Sequence, residues 1–305
     1  MKKAKTIALL SAVCISAAAF TGCGEIPEAL MYASAPHISE DSELVTESMK
    51  IKEKYFDENY ASFKPDKSVK SRVSEIDDII DSGNYTVKSY SFFSYDVYDY
   101  TDFNYPENEI NIYVDFQKAI VSNKDSWTIS GSYYIDKDQN PVIDKKTCYG
   151  AYDEDIIKDG YEYYRSSSNR AFYMYDPDEF GYYYDTNRIS YGESIATGKA
   201  TIDGVEYDAE IVDYEDYSSY GYQDADEDVT YVDDEYETYY LLIYDDENNL
   251  TIRAMVDQGA EKLSVLNIDL DCAEFMIYEK NADNSSIIQK PKSYLKSDEY
   301  PGISY

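Results

Sequence analysis

Asp224, Asp226, Asp228 and Glu235 stand at the first, third, fifth and twelfth places of a calcium-loop count, a spacing that would deliver hard oxygen ligands to one cation. Val229 takes the sixth place, where the sharp turn of such a loop needs glycine, and no helical pattern flanks the run. The competing reading is an acidic loop between strands. His37 is the single histidine, so a histidine metal site has no second ligand, and a Ser–His or Cys–His nucleophile would have to use a residue from the N-terminal stretch. With 61 acidic residues, a pair of carboxylates turns up at any spacing by chance and carries no signal for glycoside hydrolysis. No glycine-rich loop follows a strand pattern and no basic patch is present, which removes nucleotide and nucleic-acid chemistry. The expectation is a protein that is not an enzyme and has no cofactor.

Ile79-Ile80-Asp81-Ser82-Gly83 resembles the apolar-apolar-Asp-Ser-Gly of aspartic proteases, where two such carboxylates share a proton. That chemistry needs a second copy; Asp185-Thr186-Asn187 is the nearest and lacks the glycine, whereas Gly83 fits the end of a helix. Of the four cysteines, Cys148 and Cys272 fall in the region expected to fold. In an oxidising compartment they are a candidate disulfide, and buried thiols are the alternative.

The N-terminus carries its own chemistry. Lys2, Lys3 and Lys5 precede an apolar stretch, Thr6 to Phe20, that is shorter than the roughly 20 residues of a spanning helix. Thr21-Gly22-Cys23 then resembles the lipobox of bacterial lipoproteins, with Phe20 in the place that usually holds an aliphatic residue. The resemblance implies a signal peptide over 1–22 and a Cys23 that becomes the acylated mature N-terminus. Two acyl chains hold a protein on a membrane where one is marginal, since each buried CH₂ adds about 0.8 kcal/mol. The chain is therefore expected to be lipid-anchored on the extracytoplasmic face of the cell membrane.

The formal charge of −34 repels nucleic acid and anionic headgroups and attracts cations and basic partners. Tyrosine contributes 37 residues, each a large ring with a polar tip, suited to half-buried walls and to strands.

Periodicity places the elements. Val69, Val73, Ile76, Ile79 and Ile80 form one apolar helix face that ends at Asp81-Ser82-Gly83. A weaker apolar stripe from Ser42 to Phe63 suggests a loose helix within a tether. From Asn84 the period becomes two: Ile110, Ile112, Val114 and Phe116 alternate with Asn111, Tyr113 and Asp115, and Trp127, Ile129, Gly131, Tyr133 and Ile135 alternate with Thr128, Ser130, Ser132 and Tyr134. Asp203-Gly204 between Ala200–Ile202 and Val205–Tyr207 is a hairpin turn, and Asp245 to Asn249 joins Tyr239–Tyr244 to Leu250–Ala254. Further strands are expected over residues 85–98, 161–165, 171–175, 263–270 and 274–278. The fold class that follows is α+β, mostly β: a strongly curved antiparallel meander sheet, a half-barrel, with an N-terminal helix packed on it. Residues 23–67 are read as the lipidated cysteine and tether, 68–297 as the β-rich domain and 298–305 as a tail.

That order of features, with Gly198-Lys199-Ala200-Thr201-Ile202-Asp203-Gly204-Val205-Glu206-Tyr207, the stretch from Tyr240 to Ala254 and the closing run from Phe275 to Tyr294, resembles the lipoprotein-carrier half-barrel superfamily of LolA-type carriers and mycobacterial lipid-binding lipoproteins. The resemblance implies a concave apolar sheet face that takes acyl chains, and no residue matches the arginine with which LolA carriers hold their closed state. Two functions follow as expectations. In the first, Ile112, Val114, Trp127, Ile129, Ile243 and Ile252 line a groove for a hydrophobic or amphipathic ligand. In the second the same residues are a filled core, and the protein is a surface interaction or adhesion module whose tyrosines contact glycans or envelope proteins.

Overall fold

The computed structural model describes residues 35–56, 60–94, 110–168, 171–175, 193–216, 236–256, 266–270, 273–281, 284 and 286–296. Cys23, Cys272 and the acids Asp224, Asp226, Asp228 and Glu235 lie outside them. Among the described residues two short helices, α1 (Glu43–Ile51) and α2 (Val73–Asp81), accompany fifteen strands. These are β1 (Tyr60–Pro65), β2 (Asn84–Ser94), β3 (Ile110–Ser122), β4 (Asp125–Asp136), β5 (Pro141–Val142), β6 (Tyr152–Lys158), β7 (Tyr161–Arg165), β8 (Phe172–Tyr175), β9 (Ser194–Ile202), β10 (Val205–Asp216), β11 (Tyr236–Asp245), β12 (Leu250–Val256), β13 (Leu266–Asp269), β14 (Glu274–Lys280) and β15 (Tyr294–Lys296).

All fifteen belong to one open sheet, in the order β13-β1-β9-β10-β11-β12-β14-β2-β3-β4-β6-β7-β8-β15, with β5 paired to β4. Long stretches are hairpins between consecutive strands, as the turn chemistry predicts. Asp203 and Gly204 both take positive φ, 46° and 73°, which suits a tight hairpin because its twist matches that of the flanking strands. The sheet departs from a meander at three places: β1 inserts between β13 and β9, β14 inserts between β12 and β2, and β15 runs parallel to β8. The insertion of β14 has a sequence cause. Phe275, Met276, Ile277 and Tyr278 are all buried, so this strand has two apolar faces and belongs in the middle of a sheet covered on both sides.

The two helices supply those covers. Helix α1 starts at Ser42, whose hydroxyl accepts the Val45 N–H at 3.4 Å, and buries Leu44, Val45, Ser48 and Ile51 on one face. Leu44, Val45 and Ile51 join Tyr55, Phe63, Tyr90, Phe92, Val114, Ile129, Ile211, Leu241, Ile243, Ile252 and Phe275 in the main core. Helix α2 lies on the opposite face, packing Val73 and Ile76 against Val212, Leu242, Tyr244, Met276 and Tyr278. It begins at Val73 rather than Val69. Arg72 donates its N–H to Glu210 at 2.7 Å and fixes the first turn there, and Gly83, at φ 66°, ends it.

Residues 35–67 are therefore not simply a tether. Helix α1 and strand β1 are inside the body, because Val45 is 1% exposed and Phe63 is fully buried. The sequence disguises β1, whose six residues include Lys64 and Pro65. Residues 36–38 are pinned as well, with Ile38 N–H donating to the Gly150 carbonyl and His37 bridged to Ala151.

Phe63 also explains a glycine. A Cβ on Gly198, in the neighbouring β9, would sit 2.3 Å from the Lys64 carbonyl oxygen and 2.8 Å from the Phe63 ring. Gly198→Ala should therefore lower stability by about 2–3 kcal/mol, the cost of forcing a packed ring and a strand apart. A urea midpoint equal to that of the wild type would show that Phe63 has room to move.

Candidate functional site

Five of the six groove candidates are brought together. Ile112, Val114, Ile129, Ile243 and Ile252 are all buried on one sheet face, in a single cluster that also holds the apolar side of α1. Trp127 is half-buried at the margin of that cluster, its Nε1–H donating to Glu154 at 2.8 Å, and packs on a satellite core of Ile120, Ile156, Tyr163 and Ile288. The position an acyl chain would take against these residues is occupied by Leu44, Val45, Ile51 and Tyr55.

Polar contacts fix α1 in that position. Lys88 on β2 is 1% exposed, and its ammonium meets Glu47 at 2.8 Å, Glu43 at 2.9 Å and Glu279 at 3.5 Å. Burial works against its charge, and the hydrogen bonds to Glu47 and Glu43 outweigh it and raise the Lys88 pKa. Lys118 and then Lys88 hold the Glu43 carboxyl down at about 2. Midway along the helix, Ser48 shares a hydrogen bond of 2.7 Å with the Tyr133 hydroxyl. After α1 the chain widens into a π-type turn, Lys52–Phe56, where Lys54 reaches Asp245 at 2.6 Å and Tyr55 donates to the same carboxylate.

The opposite face of β2, β3, β4 and β6 is polar in its middle part. Strand alternation puts Ser89 and Ser91, Asp115 and Gln117, Ser130 and Ser132, and Asp153 on that side, and register aligns them into two rows. One row runs Ser91–Asp115–Ser132; the other runs Ser89–Gln117–Ser130–Asp153. These side chains are too short to cover the sheet, and they leave a trough of about 430 Å³ that also touches Cys148, Ala151 and Ser167. A tyrosine cluster adjoins the trough through Cys148, where Tyr134 meets Tyr149 edge-on at 4.5 Å and Tyr113 lies beside them. The Tyr164 hydroxyl donates to Asp153 at 3.0 Å. Among the described residues, the side chains of Ser89, Ser91, Asp115, Gln117, Ser130 and Ser132 have no hydrogen-bond partner. Asp115 is exposed, yet the surrounding strand surface partly desolvates it and pushes its carboxyl pKa up.

Beside the trough, Asp155 lies opposite Thr128 on β4 and Tyr164 on β7. Its Oδ1 is shut from water without a partner. Desolvation, reinforced by the nearby Glu162, raises its pKa from 3.8 to about 7, against a weaker lowering by the Ile156 N–H. In acid both native and unfolded chains hold this proton. As the pH rises from about 4 to about 7 the unfolded chain releases it first, so stability falls across that window. Asp155→Asn should remove that slope and raise stability at pH 8 by about 2 kcal/mol, less than the full shift implies because the residue is only partly buried. Urea midpoints measured from pH 4 to 8 test it, and parallel curves for the two proteins would contradict it.

The remaining candidates have structural places or none described. Asp81-Ser82-Gly83 closes α2, with the Ser82 hydroxyl donating to the Ile79 carbonyl at 2.6 Å. Cys148 sits at the trough, while its proposed partner Cys272, the acids 224–235 and the lipidation residue Cys23 are outside the described residues. Among the described residues no group of His, Cys, Asp and Glu is placed to hold a metal ion, and no helix is long and apolar enough to cross a membrane.

No family model, no curated protein and no solved structure matches the chain. The trough residues are the part sequence reasoning passed over. Asp115, Ser130 and Ser132 are visible as the polar half of alternating strands, but only the register shows that they and Ser91 form one row.

Proposed function

We propose that the chain is a lipid-anchored extracytoplasmic binding protein that acts without catalysis, and that its ligand surface is the polar trough on the face turned away from α1. The observation that carries this reading is the pair of in-register rows of hydroxyl, amide and carboxylate groups around a depression, all but Asp153 without a hydrogen-bond partner among the described residues. Such an arrangement favours a polyhydroxylated ligand, a glycan of the cell envelope or of another surface, because each sugar hydroxyl both donates and accepts. The signal-like N-terminus ending in Cys23 supports the anchored location. His37 is bridged to Ala151 at the trough, and the 14 residues from Cys23 to His37 can extend at most about 50 Å, which keeps the trough near the membrane.

The half-barrel belongs to the same proposal. Ten strands adjacent in the sheet, from β13 to β4, contribute to the one cluster around α1. Laid flat they would span about 43 Å, against about 14 Å for a nine-residue helix, which supports a strongly curved sheet wrapped on α1. β13 also approaches β12, five places away in the pairing order. In this reading α1 occupies the concave face, and an amphipathic ligand there would require α1 to leave.

An array of envelope and surface glycans probed with the purified full chain tests the proposal. One glycan class should be retained, and Ser130→Trp should abolish retention, because an indole at Ser130 fills the trough between Gln117 and Asp153. Retention of no glycan, or equal retention by the Trp variant, would contradict it.

A further inference from the structure

The trough has a charge character that narrows its ligand. Among the described residues its carboxylates are Asp115 and Asp153, and no Lys, Arg or His lines it. Asp153 is partly engaged, by the Tyr164 hydroxyl and the Ser167 N–H. Asp115 is not, and it stands between Ser91 and Ser132, hydroxyls on the two neighbouring strands. The basic side chains of β2 and β3 do not reach it, since Lys88 and Lys118 point to the other face, where Glu43 and Glu47 take them. A neutral sugar would satisfy the serines and Gln117 and leave the Asp115 carboxylate without a counter-charge. An anionic one would be repelled by it and by the −34 of the chain.

We infer that the trough selects an oligosaccharide with free amino groups, a deacetylated hexosamine chain, with one ammonium held by the Asp115 carboxylate between the Ser91 and Ser132 hydroxyls. Asp153 offers a second carboxylate two strands over and two residues along, about 12 Å away in a sheet lattice, within the span of two to three hexosamine rings. N-acetylation removes the charge at the point where Asp115 needs it. The upward direction of the Asp115 pKa agrees, because an incoming ammonium offsets the partial desolvation that the neighbouring strands impose on this exposed carboxylate.

The inference rests on the trough being the binding surface, and calorimetry with the full chain separates the two. The probes are glucosamine tetramer, N-acetylglucosamine tetramer and tetralysine, at a pH where the amines are protonated. Glucosamine tetramer should bind about tenfold or more tighter than either comparator, the margin of one charge-assisted hydrogen bond placed among matched hydroxyls. Asp115→Asn should remove that margin, and Asp78→Asn, on the exposed side of α2, should leave it intact. Equal binding of the acetylated tetramer overturns the charge selection and leaves the trough reading standing. Equal binding of tetralysine, or an equal loss in Asp78→Asn, overturns it in favour of unspecific attraction to an acidic surface. Binding of neither sugar overturns both.

Discussion

Replacing Glu43 and Glu47 together by glutamine should destabilise the protein by about 3–5 kcal/mol, the cost of leaving a buried charge without its partners. Lys88 is 1% exposed and would keep only Glu279, at 3.5 Å. Adding Lys88→Met to that double variant should restore most of the loss, since the ammonium goes and a flexible apolar chain of similar length fills the space. Lys88→Met alone should cost less than the double glutamine change, because Glu47 is partly exposed and keeps the Tyr90 hydroxyl at 2.8 Å, and Glu43 keeps Lys118 at 2.9 Å. Urea denaturation of the four proteins measures the coupling. A double glutamine variant within about 0.5 kcal/mol of wild type, as for an ordinary surface change, would mean that water reaches Lys88 and that α1 is held by its apolar face alone.

That apolar face gives the other large effect. Val45 is 1% exposed in the first turn of α1, and Val45→Asp would bury a carboxylate in the apolar cluster, a loss of more than about 4 kcal/mol. The manner of the loss matters more than its size. With α1 at the centre of a cluster drawn from ten strands, no other helix among the described residues covers Val114, Ile129, Ile243 and Ile252, and the β signal in far-ultraviolet circular dichroism should disappear together with the tertiary signal. A variant that keeps its β signal and gains affinity for an apolar dye would identify α1 as a separable plug. It would also return the face that α1 covers to the list of ligand sites.

Periodicity made the β-rich class and most strands legible, because half-buried strands must alternate and their turns need residues that tolerate positive φ. Residues 161–165 are a strand as expected, and the Asp203-Gly204 hairpin is where its chemistry puts it. Strand β6, Tyr152–Lys158, escaped because Asp153, Glu154 and Asp155 mask its alternation; the Asp159-Gly160 turn after it, with both residues at positive φ, was the available signal. Strand β1 escaped for a different reason: it is short, carries Lys64 and Pro65, and gets its place from the cleft that Gly198 leaves for Phe63. The partners of Lys88 were out of reach of any pattern, since they lie 41 and 45 residues away and depend on which face α1 covers. The groove candidates illustrate the same limit. Alternation placed Ile112, Val114 and Ile129 on one face correctly as a set, and nothing local in the sequence says that a helix of the same chain lies against them.

The trough was half legible. Short hydroxyl residues at alternate positions, Thr128, Ser130 and Ser132, mark a polar strand face, while the conversion of that face into two ordered rows needs the register of four strands, which pairing at long range fixes.

The most direct test is a crystal structure of the protein with the oligosaccharide it retains. Ligand density should lie over Ser91, Asp115 and Ser132 on the outer face, with Leu44 and Val45 of α1 still packed on Val114 and Ile129. Density for a ligand against Val114, Ile129 and Ile243, with α1 displaced, would contradict the account and make the chain a carrier of apolar cargo.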